Sequence, residues 1–230
     1  MIGQALKPPS IWQWVGDHGG EILSRTAQHV ELTVIAVAVG LAISLPLSII
    51  AYRHARAYPP ITWAAGLLYT IPSIALFVVM IPITGLSVMS VEVGLVSYTL
   101  LILIRNIVVG LRSVPEDVRE AAVGMGYSRR QLLWKVELPM ALPAVMAGVR
   151  VATVSTVGLV TVGFIIGHGA LGELIIEGLN RFFTPEVIVG VVLSVALALV
   201  ADSLLLGAER ILTPWSGSSR AQPWLPGRKL

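Results

Sequence analysis

The stretch LTVIAVAVGLAISLPLSIIAY, Leu32–Tyr52, carries no charge and stops at the basic turn Arg53-His54-Ala55-Arg56. About 20 mostly apolar residues suffice to cross a ~30 Å hydrocarbon core as a helix. This stretch therefore reads as a membrane span. The rest of the chain agrees: of 230 residues, 55% are hydrophobic and only 13% charged, against about a quarter charged in soluble domains. Mean hydropathy is +0.82. A soluble globule of this length has too little interior to hide that much apolar surface. Cysteine is absent, which excludes disulfides, thiolate metal sites and a cysteine nucleophile. The four histidines, at 18, 29, 54 and 168, are scattered, without the spacing of a metal site.

Four further spans follow by the same count. Ile61–Thr84 is uncharged, Val93–Leu111 is interrupted by Arg105 and Asn106, Ala141–Gly167 by Arg150, and Val187–Ala208 by Asp202. The expected fold is all-α, a polytopic membrane protein with five core transmembrane helices. Residues 1–30 lack the short apolar run of a cleavable signal peptide. With Trp12 and Trp14 at headgroup level they read as an interfacial segment, and a sixth span is the alternative. Trp63 reads as another anchor. Residues 31–212 form the transmembrane domain. The stretch 213–230, rich in Pro, Ser, Gly and Arg, reads as a flexible tail.

Lys/Arg bias sets orientation. With the N-terminus outside, five spans leave the C-terminus in the cytoplasm. Of the 16 basic residues, eleven (Arg53, Arg56, Arg112, Arg119, Arg129, Arg130, Lys135, Arg210, Arg220, Arg228, Lys229) then lie inside. Lys7, Arg25 and Arg181 lie outside, and the remaining two lie within spans. The loop between spans three and four, 112–138, is thereby cytoplasmic.

That loop reads RSVPEDVREAAVGMGYSRRQLLWKVEL. Ser113 is a candidate cap, Pro115 suits an early helical position, and Glu116 and Asp117 favour the positive end of a helix. The helix is expected to run to about Val123, with Gly124 and Gly126 turning the chain. Ser128 and Gln131 have the spacing of a capping box for a second helix. Two short helices joined by a glycine turn make a compact knob. A plain connection between neighbouring helices needs only a few residues.

Glu120-Ala121-Ala122, three residues, Gly126, nine residues, then Val136-Glu137-Leu138-Pro139 resembles the EAA motif of ABC-importer permeases, EAA-x3-G-x9-I-x-LP, with Val at 136 in place of Ile. Tyr69–Phe77, Tyr98–Leu111, Val136–Arg150 and Ile166–Leu179 resemble the osmoprotectant branch. Tyr69 stands where that branch usually has Gln, Ile102 for Pro, Ile107 for Thr, His168 for Ala and Ala170 for Gly. The resemblance implies a type I importer permease carrying glycine betaine, choline, carnitine or proline. A permease for methionine or another small amino acid is the alternative, and a passive channel or scaffold a remote one. It implies a dimer of permease chains, identical or paralogous, in a prokaryotic inner membrane. Its other partners are an ABC ATPase dimer and an extracytoplasmic substrate-binding protein, with no nucleic acid. In such a permease Glu120, Ala121, Ala122, Gly126, Leu138 and Pro139 form the ATPase-coupling loop. The chain is expected to hold no cofactor and to be no enzyme: no G-x-x-x-x-G-K-[ST] run is present, so ATP and Mg belong to the partner ATPase.

Two groups inside the spans are candidates for a translocation pathway or gate. Thr70, Pro72 and Ser73 read equally as a proline kink, with hydroxyls satisfying freed carbonyls, or as pathway lining. Counting 1.5 Å per residue from the cytoplasmic ends puts Arg105, Arg150 and Asp202 at one depth, ~10–13 Å in. Intramembrane charges usually pair, so one network of the three is expected, with Asn106 a further partner. Structural glue and gating both fit it. The Gly163-x-x-x-Gly167 spacing reads as close packing.

Overall fold

The structure, a computed structural model, describes residues 10–215, and no strand occurs among them. Residues 1–9 and 216–230, including most of the expected tail, lie outside the described residues. The elements are α1 (Ile11–Asp17), α2 (Gly19–Arg53), α3 (Tyr58–Thr70), α4 (Ser73–Thr84), α5 (Val88–Arg112), α6 (Glu116–Gly124), α7 (Arg129–Leu132), α8 (Leu138–Val160), α9 (Leu171–Asn180) and α10 (Thr184–Leu212). A π turn, Leu133–Glu137, joins α7 to α8, and a 3₁₀ segment, Thr161–Ile166, follows α8. Four apolar stretches, Gly19–Arg53, Val88–Arg112, Arg129–Ile166 and Thr184–Leu212, are each long enough to cross a membrane. The pair α3–α4 makes a fifth crossing if counted as one span.

That pair corrects the reading of Ile61–Thr84 as one continuous span: its two halves meet at 96°. Proline supplies no N–H and pushes the residue before it out of the helical region. Ile71 accordingly sits at φ −66°, ψ 130°. The carbonyl exposed at the break, Ile71 O, accepts a bond from the Tyr98 hydroxyl on α5. Local satisfaction occurs as well: the Thr70 hydroxyl donates to Leu67 O, in the last turn before the break, at 2.8 Å.

The first span also differs. Helix α2 is 35 residues long and takes in residues 19–30, which sequence assigns to an interfacial segment. Gly19 and Gly20 look like breaks but sit in the first turn, where helix interior costs do not apply. Arg25 is held by Glu173 of α9. Trp14 is no headgroup anchor: it is 6% exposed, packed with Leu171 and Leu174, and its ring stacks on His18. Trp12 and Trp63 do project outward. The third span begins earlier than expected, at Val88, because Glu92 is buried within it rather than ending it. Thr213 closes α10 through a bond to Glu209 O.

The core lies where α2, α5 and α8 meet. Val37, Leu103, Ile107, Leu111, Val145 and Val149 form its main cluster. Small residues let these helices approach, the usual device where lipid removes the hydrophobic drive between spans. A Cβ on Gly110 of α5 would stand 2.9 Å from the Ala141 carbonyl oxygen of α8. Gly163 packs in the same way against the His168 carbonyl, while Gly167 turns the chain at φ +76°.

Candidate functional site

The loop between α5 and α8 forms two short helices as expected, with one change at its start. Ser113 closes the preceding helix, its hydroxyl bonding Gly110 O at 2.8 Å, so it does not cap α6. Pro115 takes the cap position without a side-chain bond, and Glu116 and Asp117 occupy the first turn. The helix ends in a Schellman closure: Tyr127 N donates to Ala122 O at 3.1 Å and Gly126 N to Val123 O at 2.9 Å. Gly126 has φ +83°, a conformation that costs only glycine nothing. Ser128 and Gln131 make the reciprocal capping box of α7 at 3.3 and 2.8 Å.

The motif residues divide between two faces. Glu120 and Ala121 are exposed, together with Val123 at 58% and Met125 at 69%. Ala122 is buried at 2% and packs within the chain, so the outward face holds Ala121 but not its neighbour. Leu138 packs against the main core cluster, and Pro139 lies in the first turn of α8, where a missing N–H is tolerated.

Beneath the knob lies a charge cluster that the motif spacing alone does not reveal. Arg119 Nε donates to Glu137 Oε1 at 3.2 Å, Nη1 to Glu116 at 2.9 Å, and Nη2 to Leu111 O at 2.8 Å. The Tyr52 hydroxyl at the end of α2 donates to the same Glu137 oxygen at 2.5 Å, and the guanidinium lies 5.7 Å from the Tyr52 ring centre. One side chain of α6 thus grips the ends of α2, α5 and α8. Its sequence signal is Glu137, a charge set between the apolar Val136 and Leu138.

Among the intramembrane charges, Arg150 and Asp202 meet in a bidentate pair, at 2.8 and 2.9 Å. Arg150 also reaches Glu209 at 3.4 Å. Arg105 is exposed and joins no ion pair among the described residues, so the expected three-membered network is corrected: Glu209 takes the place of Arg105. Depth is only one coordinate. A helix turns about 100° per residue, and the buried stripe of α5 runs through Leu103, Ile104, Ile107 and Leu111, leaving Arg105 off it. Asn106 bonds its own helix at Ile102 O, 2.8 Å, and packs against Gly148. Thr70, Pro72 and Ser73 lie at the α3–α4 break, which packs on α5. The Arg150–Asp202 pair instead joins α8 to α10. Beside the break, the Tyr69 and Tyr98 rings stand 5.4 Å apart.

The pattern describing the binding-protein-dependent transport system inner membrane component family matches residues 23–214. The chain belongs to this family. It is a multi-pass membrane protein, a permease of the ABC-importer class, and such permeases work with ATPase and substrate-binding partners. The Choline transport system permease protein OpuBB of Bacillus subtilis (strain 168) is 36% identical over 89% of this chain and 94% of its own length. The Osmoprotectant import permease protein OsmW of Salmonella typhimurium is 38% identical over 86% and 94%. Among solved structures, an inward-facing MetNI methionine ABC transporter chain superposes with a TM-score of 0.76 at 24% identity, covering 84% of this chain and 96% of that one. That likeness shows the fold.

Proposed function

We propose that this permease moves a compatible solute, of the class of glycine betaine, choline, carnitine or proline, inward across a prokaryotic inner membrane. The substrate class rests on relatives named for choline, carnitine, glycine betaine or osmoprotectants at about 30–38% identity. In this reading the N-terminus is outside and the C-terminus cytoplasmic, two permease chains pair, and two ATPase subunits, which hold ATP and Mg, sit below them. An extracytoplasmic binding protein delivers solute from above.

The observation that carries the coupling role is the shape of the knob. Its outward face offers Glu120, Ala121, Val123 and Met125, and its inner face is bolted through Arg119 to three spans. A docked ATPase that closes on ATP pulls the knob, and α2, α5 and α8 move with it. The solute site then alternates between the two sides, which requires each state to bind solute or nucleotide differently. The Arg150–Asp202–Glu209 cluster ties α8 to α10 and acts as a gate that holds one state.

Glu120→Lys and Gly126→Asp test the docking face. The first reverses its charge, and the second puts a side chain at φ +83°. Both variants should insert normally, lose ATPase pull-down, and lose ATP-dependent uptake of radiolabelled choline or glycine betaine in vesicles. Normal pull-down and uptake in both would overturn the assignment.

A further inference from the structure

Helices α9 and α10 form one close-packed body. A Cβ on Gly178 would stand 2.9 Å from Val187 N, and one on Gly190 3.1 Å from Leu171 O, so the two contacts leave no room for even a methyl group. The chain enters this body through the turn 167–170, after the 3₁₀ segment. Gly167 is at φ +76° and Ala170 at φ 50°, ψ −116°. Gly172 N donates to Gly169 O at 2.7 Å. That bond closes a turn whose first central residue is Ala170, in the conformation that type II′ turns fill with glycine. Alanine is strained there, and such a conformation persists only where its surroundings hold it.

One side chain joins that turn to the rest of the bundle. Glu173 is buried. Its Oε1 accepts from Gly169 N at 2.9 Å, inside the strained turn, and its Oε2 pairs with Arg25 of α2. Arg25 has a second carboxylate within reach: Glu21, one turn back on its own helix, stands 3.9 Å away with its side chain 40% exposed. The Arg25 side chain is itself 27% exposed, so it exchanges one partner for the other without leaving water. A contact with two discrete arrangements is what a switch requires. The same body is tied separately at its other end, where Asp202 and Glu209 of α10 hold Arg150 of α8. Ion pairs thus pin it at opposite ends of the bundle.

We propose that Glu173 and Arg25 are the outer latch of the transport cycle. Closed, as in this structure, they hold the 167–170 turn and pin α9 to α2. When Arg25 moves to Glu21, the α9–α10 body swings about that turn and the outer end opens. This rests on the importer reading, since alternating access is what requires the outer end to open.

The test uses the full permease–ATPase complex in nanodiscs, with labelled chain diluted in unlabelled chain. The chain has no cysteine, so Ala27→Cys on α2 and Asn180→Cys at the end of α9, both exposed positions, carry its only nitroxide labels. Their spin–spin distance should be short without nucleotide and gain a longer population with a non-hydrolysable ATP analogue. Glu173→Gln keeps an oxygen for Gly169 but loses the charge. Without nucleotide its long-to-short ratio should rise about threefold or more, the scale of a partly exposed ion pair. Arg25→Gln removes the same pair from the other side and should match it, which covers a Glu173 variant that fails to insert. Glu21→Gln removes the second partner and should shift the ratio with the analogue the opposite way, toward the short distance. Structural glue predicts lower melting temperatures with unchanged ratios, and that result overturns the latch, as does a Glu21→Gln ratio equal to wild type. A labelled complex that takes up none of choline, carnitine, glycine betaine and proline with ATP overturns the importer reading and the latch with it. Normal uptake with a distance that ignores nucleotide overturns the latch alone.

Discussion

Replacing Arg119 by Ala separates the knob from the spans beneath it. The bond to Glu116 contributes little, since that carboxylate is 71% exposed. The bonds that matter run to Leu111 O and to Glu137, whose side chain is 7% exposed. A hydrogen bond to a charged group contributes about 1.5–3 kcal/mol, and stranding one member of a buried pair costs about 3–5 kcal/mol. Arg119 keeps some water contact and Tyr52 still donates to Glu137, so about 2–3 kcal/mol is the expected loss. For a chain of this size that lowers the melting temperature by roughly 5–10 °C. Adding Glu137→Gln should restore part of it, because the stranded charge is gone, giving a coupling of at least about 1 kcal/mol in the double-mutant cycle. The functional signature is more specific than the melting point. Arg119→Ala should still bind the ATPase through its unaltered outer face and let it hydrolyse ATP, while solute moved per ATP falls at least tenfold. Vesicles reporting uptake and phosphate release together measure that ratio. An unchanged ratio with an unchanged melting temperature would refute the idea that Arg119 links knob to spans.

Three further outcomes follow from the geometry. Asp202→Ala should reduce expression and uptake more than Asp202→Ala combined with Arg150→Ala, because only the single change leaves the guanidinium without its bidentate partner; Arg105→Ala should be nearly silent in the same quantitative blot. Ala170 stands at φ 50°, ψ −116°, and Ala170→Gly should relieve about 1–3 kcal/mol of strain, less about 0.5–1 kcal/mol for the freer unfolded chain. Thermal unfolding in detergent should show a gain of a few degrees, and a loss would remove the strain argument.

Apolar runs and glycine spacing were enough to read four crossings, the apolar stretch that becomes the bent pair, and the two-helix knob, because hydropathy and turn chemistry act locally. What escaped reading depended on direction across the bundle. Trp14 looks like an anchor until Leu171 and Leu174, far away in sequence, fold over it. Residues 19–30 look separate from the first span until they continue into it as one helix, with Arg25 meeting Glu173. The α9 helix went unread because it is short and lies between two spans, where neither length nor charge marks it. In the knob, the motif spacing found Gly126 and the outer face, while Arg119 and Tyr52, one in a charged run and one at a span end, acquire meaning only through Glu137.

The π turn at Leu133–Glu137 has a consequence for how this sequence is free to vary. It sets the angular phase between knob and span: one surplus residue turns everything above it by about 100° relative to everything below. Removing a single residue there would restore ordinary helix and swing Glu137 away from Arg119 and Tyr52, leaving composition and hydropathy almost untouched. The nine residues between Gly126 and Val136 are therefore a measured length as much as a sequence. Side chains along them can drift, but their number cannot.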